Sequence, residues 1–339
     1  MKKIKVEDAV GSVLAHDLTK IVPGEFKGAA FKKGHIVKTE DIIELKNMGK
    51  NHIHVLELRE DEIHEDDAAL RIAKAVVGEG FTLEGPSEGK VNIKSTERGL
   101  LKINTKVLEL INDIDLIMLA TLHNNTLVEK NKVVAATRII PLTIKKREIH
   151  KIESICRNMG KVVTIKKLKP LRVGIIVTGT EVYEGRIKDR FGPILEEKVR
   201  IYGGQLVDTK YVPDDTDEIT KALKALIDKG AEIILTSGGM SVDADDVTPT
   251  AIAQISNHVV TYGSPVLPGA MFMLAYKDKT AILGVPACGM YHRITVLDLV
   301  FPRILAGEIL TKKDITSLAH GGLCQNCEVC LYPICPLGK

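Results

Sequence analysis

The chain has 339 residues, 45% of them apolar, which is more than one core usually serves and enough for two to four domains. Its 47 basic and 44 acidic residues leave a net charge of +3, with 4% aromatics and no Trp, so nothing in the balance calls for nucleic acid as a partner. No stretch offers the ~18 consecutive apolar residues of a membrane span, and the start, Met1-Lys-Lys-Ile-Lys-Val-Glu-Asp8, lacks an apolar leader core; no membrane association and a cytoplasmic location are expected.

In chain order, residues 1–62 read as a small α+β domain. Gly11 to Thr19 and Phe31 to Val37 alternate as half-buried strands do, and a helix over Lys38 to Met48 ends at Gly49. His16, His35, His52, His54 and His64 read as surface or turn residues rather than ligands. Residues 63–168 open with a helix in which Ala69, Ile72, Ala73, Val76 and Val77 recur at helical spacing until Gly78. A β-rich stretch follows, then a helix from Lys145 to Met159 ended by Gly160.

Residues 169–307 change to regular strand and helix alternation. Strands are predicted at 171–177, 205–211, 231–236, 258–262 and 279–284, with helices near 192–202, 216–229, 248–256 and 287–305. Short connections in such a series imply right-handed crossovers, so the expected fold class is α/β, a doubly wound and mainly parallel sheet. Residues 308–339 form a polar, then cysteine-rich tail.

Three loops carry the chemistry, each after an apolar strand. Thr236-Ser-Gly-Gly239 would set two glycine amides and two hydroxyls at the mouth of the sheet, which suits a phosphate, although a glycine pair after a strand is also an ordinary turn. Just downstream, Asp243, Asp245 and Asp246 offer hard oxygen ligands for Mg²⁺, or else form a solvated acidic turn that caps the helix opening at Thr248-Pro249. Thr178-Gly179-Thr180-Glu181 and Asp214-Asp215 are the other two loops; the aspartates either join the site or cap the helix near Thr216.

These residues resemble the molybdopterin-binding domain of molybdopterin molybdotransferases and adenylyltransferases. The resemblance is carried by Thr-Gly-Thr-Glu at 178–181, Asp-Asp at 214–215 and above all Thr-Ser-Gly-Gly-Met-Ser-Val-Asp-Ala-Asp-Asp at 236–246. Tyr262-Gly-Ser-Pro-Val-Leu-Pro-Gly269 and Ile282-Leu-Gly-Val-Pro286 follow in the right order. It covers 171 to about 306 well and extends loosely to Val6–Leu18 and Phe31–Leu58, a block here separated from the Thr-Gly-x-Glu strand by about 110 residues.

The resemblance implies a pterin dithiolene phosphate in the loops, delivery of molybdate, and hydrolysis of adenylylated molybdopterin with Mg²⁺ and release of AMP. It makes Glu181 and Asp246 the catalytic or metal carboxylates, with Asp243 and Asp245 beside them. Ser237, Gly238, Gly239 and Ser241 would hold phosphate, Thr178, Gly179, Asp214, Pro268, Gly269 and Pro286 would shape the pterin pocket, and Thr180, Asp215 and Met240 would also line the ligand site. It also implies a homodimer. The chain departs from the family in having Val266-Leu-Pro-Gly-Ala-Met271 where lysines are usual, and Gly-Val-Pro where Gly-Asn-Pro is common. Arg293, Lys188 and Arg190 are the basic residues that could replace that charge. A non-catalytic molybdopterin carrier or sensor, and a related domain acting on a nucleotide, are the alternatives to a molybdotransferase.

Four of the six cysteines fall in the last 16 residues, while Cys156 and Cys288 stand alone. Cys324-x2-Cys327-x2-Cys330-x4-Cys335-Pro336 has the spacing of a thiolate tetrad for zinc or an iron-sulfur cluster, close to a bacterial ferredoxin run but one residue longer in its last gap.

Overall fold

A computed structural model describes residues 2–22 and 24–339. The chain divides into two compact units, one of residues 1–124 and 128–165, the other of residues 125–127 and 166–339.

In the first unit, Lys2–Lys5 pairs antiparallel with His52–Val55, and Leu18–Val22 pairs with Phe26–Phe31. The predicted helix is found at Asp41–Asn47, and Val6, Leu14, Leu45 and Ile53 form a small core beneath it. A second core gathers Ala69, Ile72, Ala73 and Val76 of helix Glu65–Val76 against Ile149, Ile152 and Cys156 of helix Lys146–Met159. The same core covers an antiparallel sheet of Phe81–Ser87, Lys90–Ser95, Val133–Ile139 and Ile117–Thr121.

His64 departs from its expected surface place, being only 1% exposed. Its Nε2 stands 2.5 Å from the Ala15 carbonyl oxygen, its Nδ1 stands 2.8 Å from Lys33 Nζ, and it caps the helix by accepting from Asp66 N–H. Nδ1 can accept from an ammonium and an amide only when it carries no proton, so the ring is the neutral Nε2–H tautomer. Burial holds its pKa below the ordinary histidine value.

The second unit is a six-stranded sheet. Its strands are β1 (Arg172–Thr178), β2 (Gln205–Val212), β3 (Ile233–Ser237), β4 (His258–Tyr262), β5 (Met273–Lys277) and β6 (Thr280–Val285), in spatial order β2-β1-β3-β6-β5-β4. The first three pairings in that order are parallel and the last two antiparallel, which makes this the mainly parallel α/β sheet expected. β5 was not foreseen: Met271-Phe-Met-Leu-Ala-Tyr276 is an apolar run next to a ligand-loop motif, and it pairs through a tight turn at Asp278, whose φ is 53°.

Alternation along the strands supplies both faces. Val173, Ile175 and Val177 of β1 pack with Leu195 and Val199 of α1 (Phe191–Tyr202), and with Val300 and Phe301 of a later helix, Val296–Leu305. Ile176, Ile234 and Ile282 pack the other way, against α2 (Thr216–Asp228) and α3 (Thr248–Ile255). The later helix, α4, begins at Val296 rather than 287; a 3-10 turn covers Ala287–Met290, and Thr295 with Asp298 closes a capping box.

Asp298 is 2% exposed and accepts three bonds, from Lys198 Nζ at 2.6 Å, Tyr202 O–H at 2.9 Å and Thr295 N–H at 2.8 Å. Lys198 also donates to the Arg293 carbonyl at 2.8 Å, so one buried network ties α1, the start of α4 and the 291–295 connection together. Breaking it leaves a buried ammonium unpaired. Asp298→Ala is therefore expected to lower the unfolding free energy of the second unit by about 3–5 kcal/mol in a denaturant titration. In the first unit, the neutral buried His64 takes up its proton only on unfolding once pH falls below the ordinary histidine pKa. Stability is accordingly expected to fall with pH below about 6.5, by at most ~1.4 kcal/mol per pH unit, and the slope should flatten in His64→Gln when melting is followed against pH.

Candidate functional site

β1 and β3 lie side by side, with Val177 opposite Ser237, yet the chain leaves them in opposite directions across the sheet. Their following loops therefore part and open a crevice at the carboxyl ends, the switch point where doubly wound sheets take ligands. The Ser237-Gly238 turn is forced tight there. Gly238 has φ 88°, and a Cβ on it would strike the carbonyl oxygen of Thr178, with the Thr178 hydroxyl only 2.5 Å away. Gly239, φ 53°, also passes close to the Thr248 hydroxyl, which a Cβ there would meet at 2.8 Å.

The loop beyond is held from two sides. Thr248 N–H donates to Gly239 O at 3.2 Å, and the Thr178 and Thr248 hydroxyls stand 3.4 Å apart. From the β4 end, Tyr262 O–H reaches Met240 O at 2.9 Å and Ser241 O at 3.1 Å. Burial, then the nearby Asp246 charge, raises the Tyr262 pKa, which keeps the phenol a donor. The bond from Tyr262 to the Ser-Gly-Gly loop is a tertiary feature with no sequence signal of its own.

Two adjoining cavities flank the turn. The first, about 630 Å³, is lined by Gly238, Gly239, Met240, Ser241, Asp243 and Asp246 on one side, and by Pro268, Gly269, Pro286 and Cys288 on the other. The second, about 440 Å³, is lined by Thr178, Glu181, Ser237 and Gly238 together with Lys188, Asp189 and Arg190. Gly238 and Ala287 line both. Glu181 and Asp246 thus face neighbouring cavities rather than one. Arg293 lines neither, so of the three basic residues considered only Lys188 and Arg190 reach the crevice.

The remaining residues divide between support and capping. Asp214 Oδ2 accepts from Thr180 N–H at 2.8 Å and from its hydroxyl at 3.3 Å, stapling the β1 and β2 loops beneath Gly179. Asp215 caps α2, accepting from Asp217 and Glu218 N–H at 2.9 Å each, and lines neither cavity. Asp245 is exposed and also lines neither. No carboxylate caps α3, whose N-cap is Val247; instead Asp243 N–H donates to Asp246 Oδ2 at 2.9 Å and closes the acidic turn on itself.

Among the described residues, no three His, Cys, Asp or Glu side chains gather closely enough to hold a metal ion. Asp243 and Asp246 still form a two-carboxylate edge on the first cavity, the number Mg²⁺ commonly takes alongside water and phosphate oxygens. Cys288 is half-buried and burial pushes its thiol pKa up, the behaviour of an inert small residue rather than an activated one. In the tail, Cys324 and Cys335 pack half-buried against the sheet's core, Cys327 and Cys330 are exposed, and no disulfide joins any of them. Among the described residues no helix is long and apolar enough to cross a membrane.

Residues 174–306 match the family model described as a probable molybdopterin binding domain, and residues 3–57 match a domain of unknown function. A CinA-like protein of Mycobacterium leprae (strain TN) is 37% identical over 86 residues, which is 25% of this chain and 20% of that protein. One from Mycobacterium sp. (strain JLS) is 40% identical over 83 residues, 24% of this chain and 20% of that protein. The chain thus spans about a fifth of the length of the curated relatives it matches. Among solved structures, the tungsten cofactor synthesizing protein MoaB from Pyrococcus furiosus aligns with TM-score 0.34 at 20% identity, covering 41% of this chain and 97% of that one. CinA from Thermoplasma acidophilum aligns with TM-score 0.33 at 16% identity, covering 40% and 97%. The glycine turn, the acidic loop and the later Pro-Gly and Val-Pro loops all fall inside the segment that matches the model of a probable molybdopterin binding domain.

Proposed function

We propose that the second unit binds a molybdopterin phosphate, and that the chain acts in molybdenum cofactor assembly by inserting molybdate into adenylylated molybdopterin with release of AMP. The supporting observation is that basic side chains reach only one side of the Gly238 turn. Asp243 and Asp246 line one cavity with no basic residue, while Lys188 and Arg190 line the other together with Glu181 and Asp189. A pterin joined to a nucleotide through phosphates needs both kinds of edge, with glycine amides between them that no side chain obstructs.

On this reading Gly238, Gly239 and Ser241 bind phosphate oxygens, and Lys188 and Arg190 neutralise the charge beyond them. Met240, Pro268, Gly269 and Pro286 wall the apolar part of the ligand. Mg²⁺ held by Asp243 and Asp246 would supply charge stabilisation at the phosphate oxygens when bound. Glu181, in the cavity with Lys188 and Arg190, would accept the proton of the attacking oxygen. Thr180 and Asp214 act from behind, by fixing the loop that carries Glu181.

A carrier that stores or hands over molybdopterin is the second reading. It is favoured by one observation: none of the described residues lining the cavity with Asp243 and Asp246 is basic.

The deciding measurement is AMP release from adenylylated molybdopterin with Mg²⁺, with and without molybdate. Molybdate-dependent release is expected, reduced about 100-fold in Asp246→Asn while pterin binding is kept; tight binding without release in either protein would establish the carrier instead. Lys188→Ala combined with Arg190→Ala is expected to weaken molybdopterin binding about tenfold in a calorimetric titration, since each removes a charge-assisted contact.

A further inference from the structure

The cysteine tail is not used by the function proposed above, and its geometry points to a chemistry of its own. All four of its cysteines line a single cavity of about 430 Å³, whose wall also includes Tyr291, His292, Arg293, Glu328 and Tyr332. Two of the four are fixed. Cys324 N–H donates to Leu267 O at 2.8 Å while Leu267 N–H donates to Gly322 O at 2.8 Å, and Cys335 lies beside Leu337, which is 3% exposed in the core. The other two, Cys327 and Cys330, are exposed on a segment without helix or strand, so they can adjust.

The spacing of the cysteines and the room they share decide between the two thiolate chemistries. A single zinc ion needs four ligands drawn tightly around one point, whereas an iron-sulfur cluster takes one thiolate at each of several iron corners. All four line that one cavity, whose volume suits a cluster better than a single ion. Three of them sit in an uninterrupted C-x2-C-x2-C run, the pattern that wraps a cluster.

We propose that Cys324, Cys327, Cys330 and Cys335 hold a [4Fe–4S] cluster, assembled from two ferrous ions, two ferric ions and four sulfides with no net gain or loss of electrons, each thiol losing its proton as its sulfur binds iron. The cluster also braces the Leu267–Gly269 loop, because Cys324 and Gly322 are bonded to Leu267 on both its amide and its carbonyl. The site stands whatever ligand the α/β crevice takes.

The test is anaerobic reconstitution of the full chain with equal amounts of ferrous and ferric iron and with sulfide, followed by metal and sulfide analysis. Iron and acid-labile sulfide are expected in equal amounts, about four of each per chain, with a visible absorption band that bleaches with dithionite. Cys327→Ser and Cys330→Ser, both at exposed positions, should lose the cluster, and Cys156→Ser should keep it. One zinc per chain without sulfide, no retained metal, or an undiminished cluster in both exposed-site variants would each overturn the assignment. Amide exchange at Leu267 and Cys324 should slow about tenfold on reconstitution; unchanged exchange in a protein that holds the cluster would overturn the bracing.

Discussion

The crevice depends on two parallel strands ending shoulder to shoulder. β1 and β3 can do so only because residue 238 carries no side chain and takes a positive φ, letting the turn pass over the backbone of Thr178. From that one close approach follow the direction in which residues 239–246 leave the sheet, the placing of Asp243 and Asp246 on one side, and the placing of Glu181 on the other. The opposite rim is held differently. There Asp298, buried and triply bonded, fixes the connection from Pro286 to Thr295 through the α4 capping box and Lys198. A backbone constraint sets one wall and a buried charge network the other.

That connection borders more than one cavity. Ala287 lines both halves of the crevice, and Tyr291 lines the half with Lys188 and Arg190 and the cysteine cavity alike. Its only regular element is the short turn at 287–290. The network under Asp298 therefore supports segments that the packing of the sheet alone would leave loose, which is why a charge is buried where a leucine would otherwise serve.

How far the sequence could be read varied with the physics involved. The parallel sheet was legible because buried strands are short apolar runs and their helices repeat every three or four residues. β5 was not, since its apolar run lies between two ligand-loop motifs and pairs with its neighbour through a turn without glycine. The acidic loops were legible as loops, but the tasks of the individual carboxylates were not: Asp214 and Asp215 are adjacent and chemically identical, and one staples two loops while the other caps a helix. Lys188 and Arg190 reach the crevice and Arg293 does not, a matter of tertiary position that spacing cannot encode. His64 shows the same limit in the first unit, its burial resulting from contacts 31 and 49 residues away in sequence.

Met240 lies under the glycine turn, 3% exposed, with its sulfur against Gly284 of β6; a Cβ at 284 would meet that sulfur at 2.6 Å and the Cβ of Met273 at 3.1 Å. The thioether thus fills the space that a side chain on β6 would occupy. Positions 240 and 284 share one volume. A lineage that acquired alanine or serine at 284 would have to swing the thioether of Met240 aside and press on Met273, so a change on β6 would be felt at the floor of the crevice.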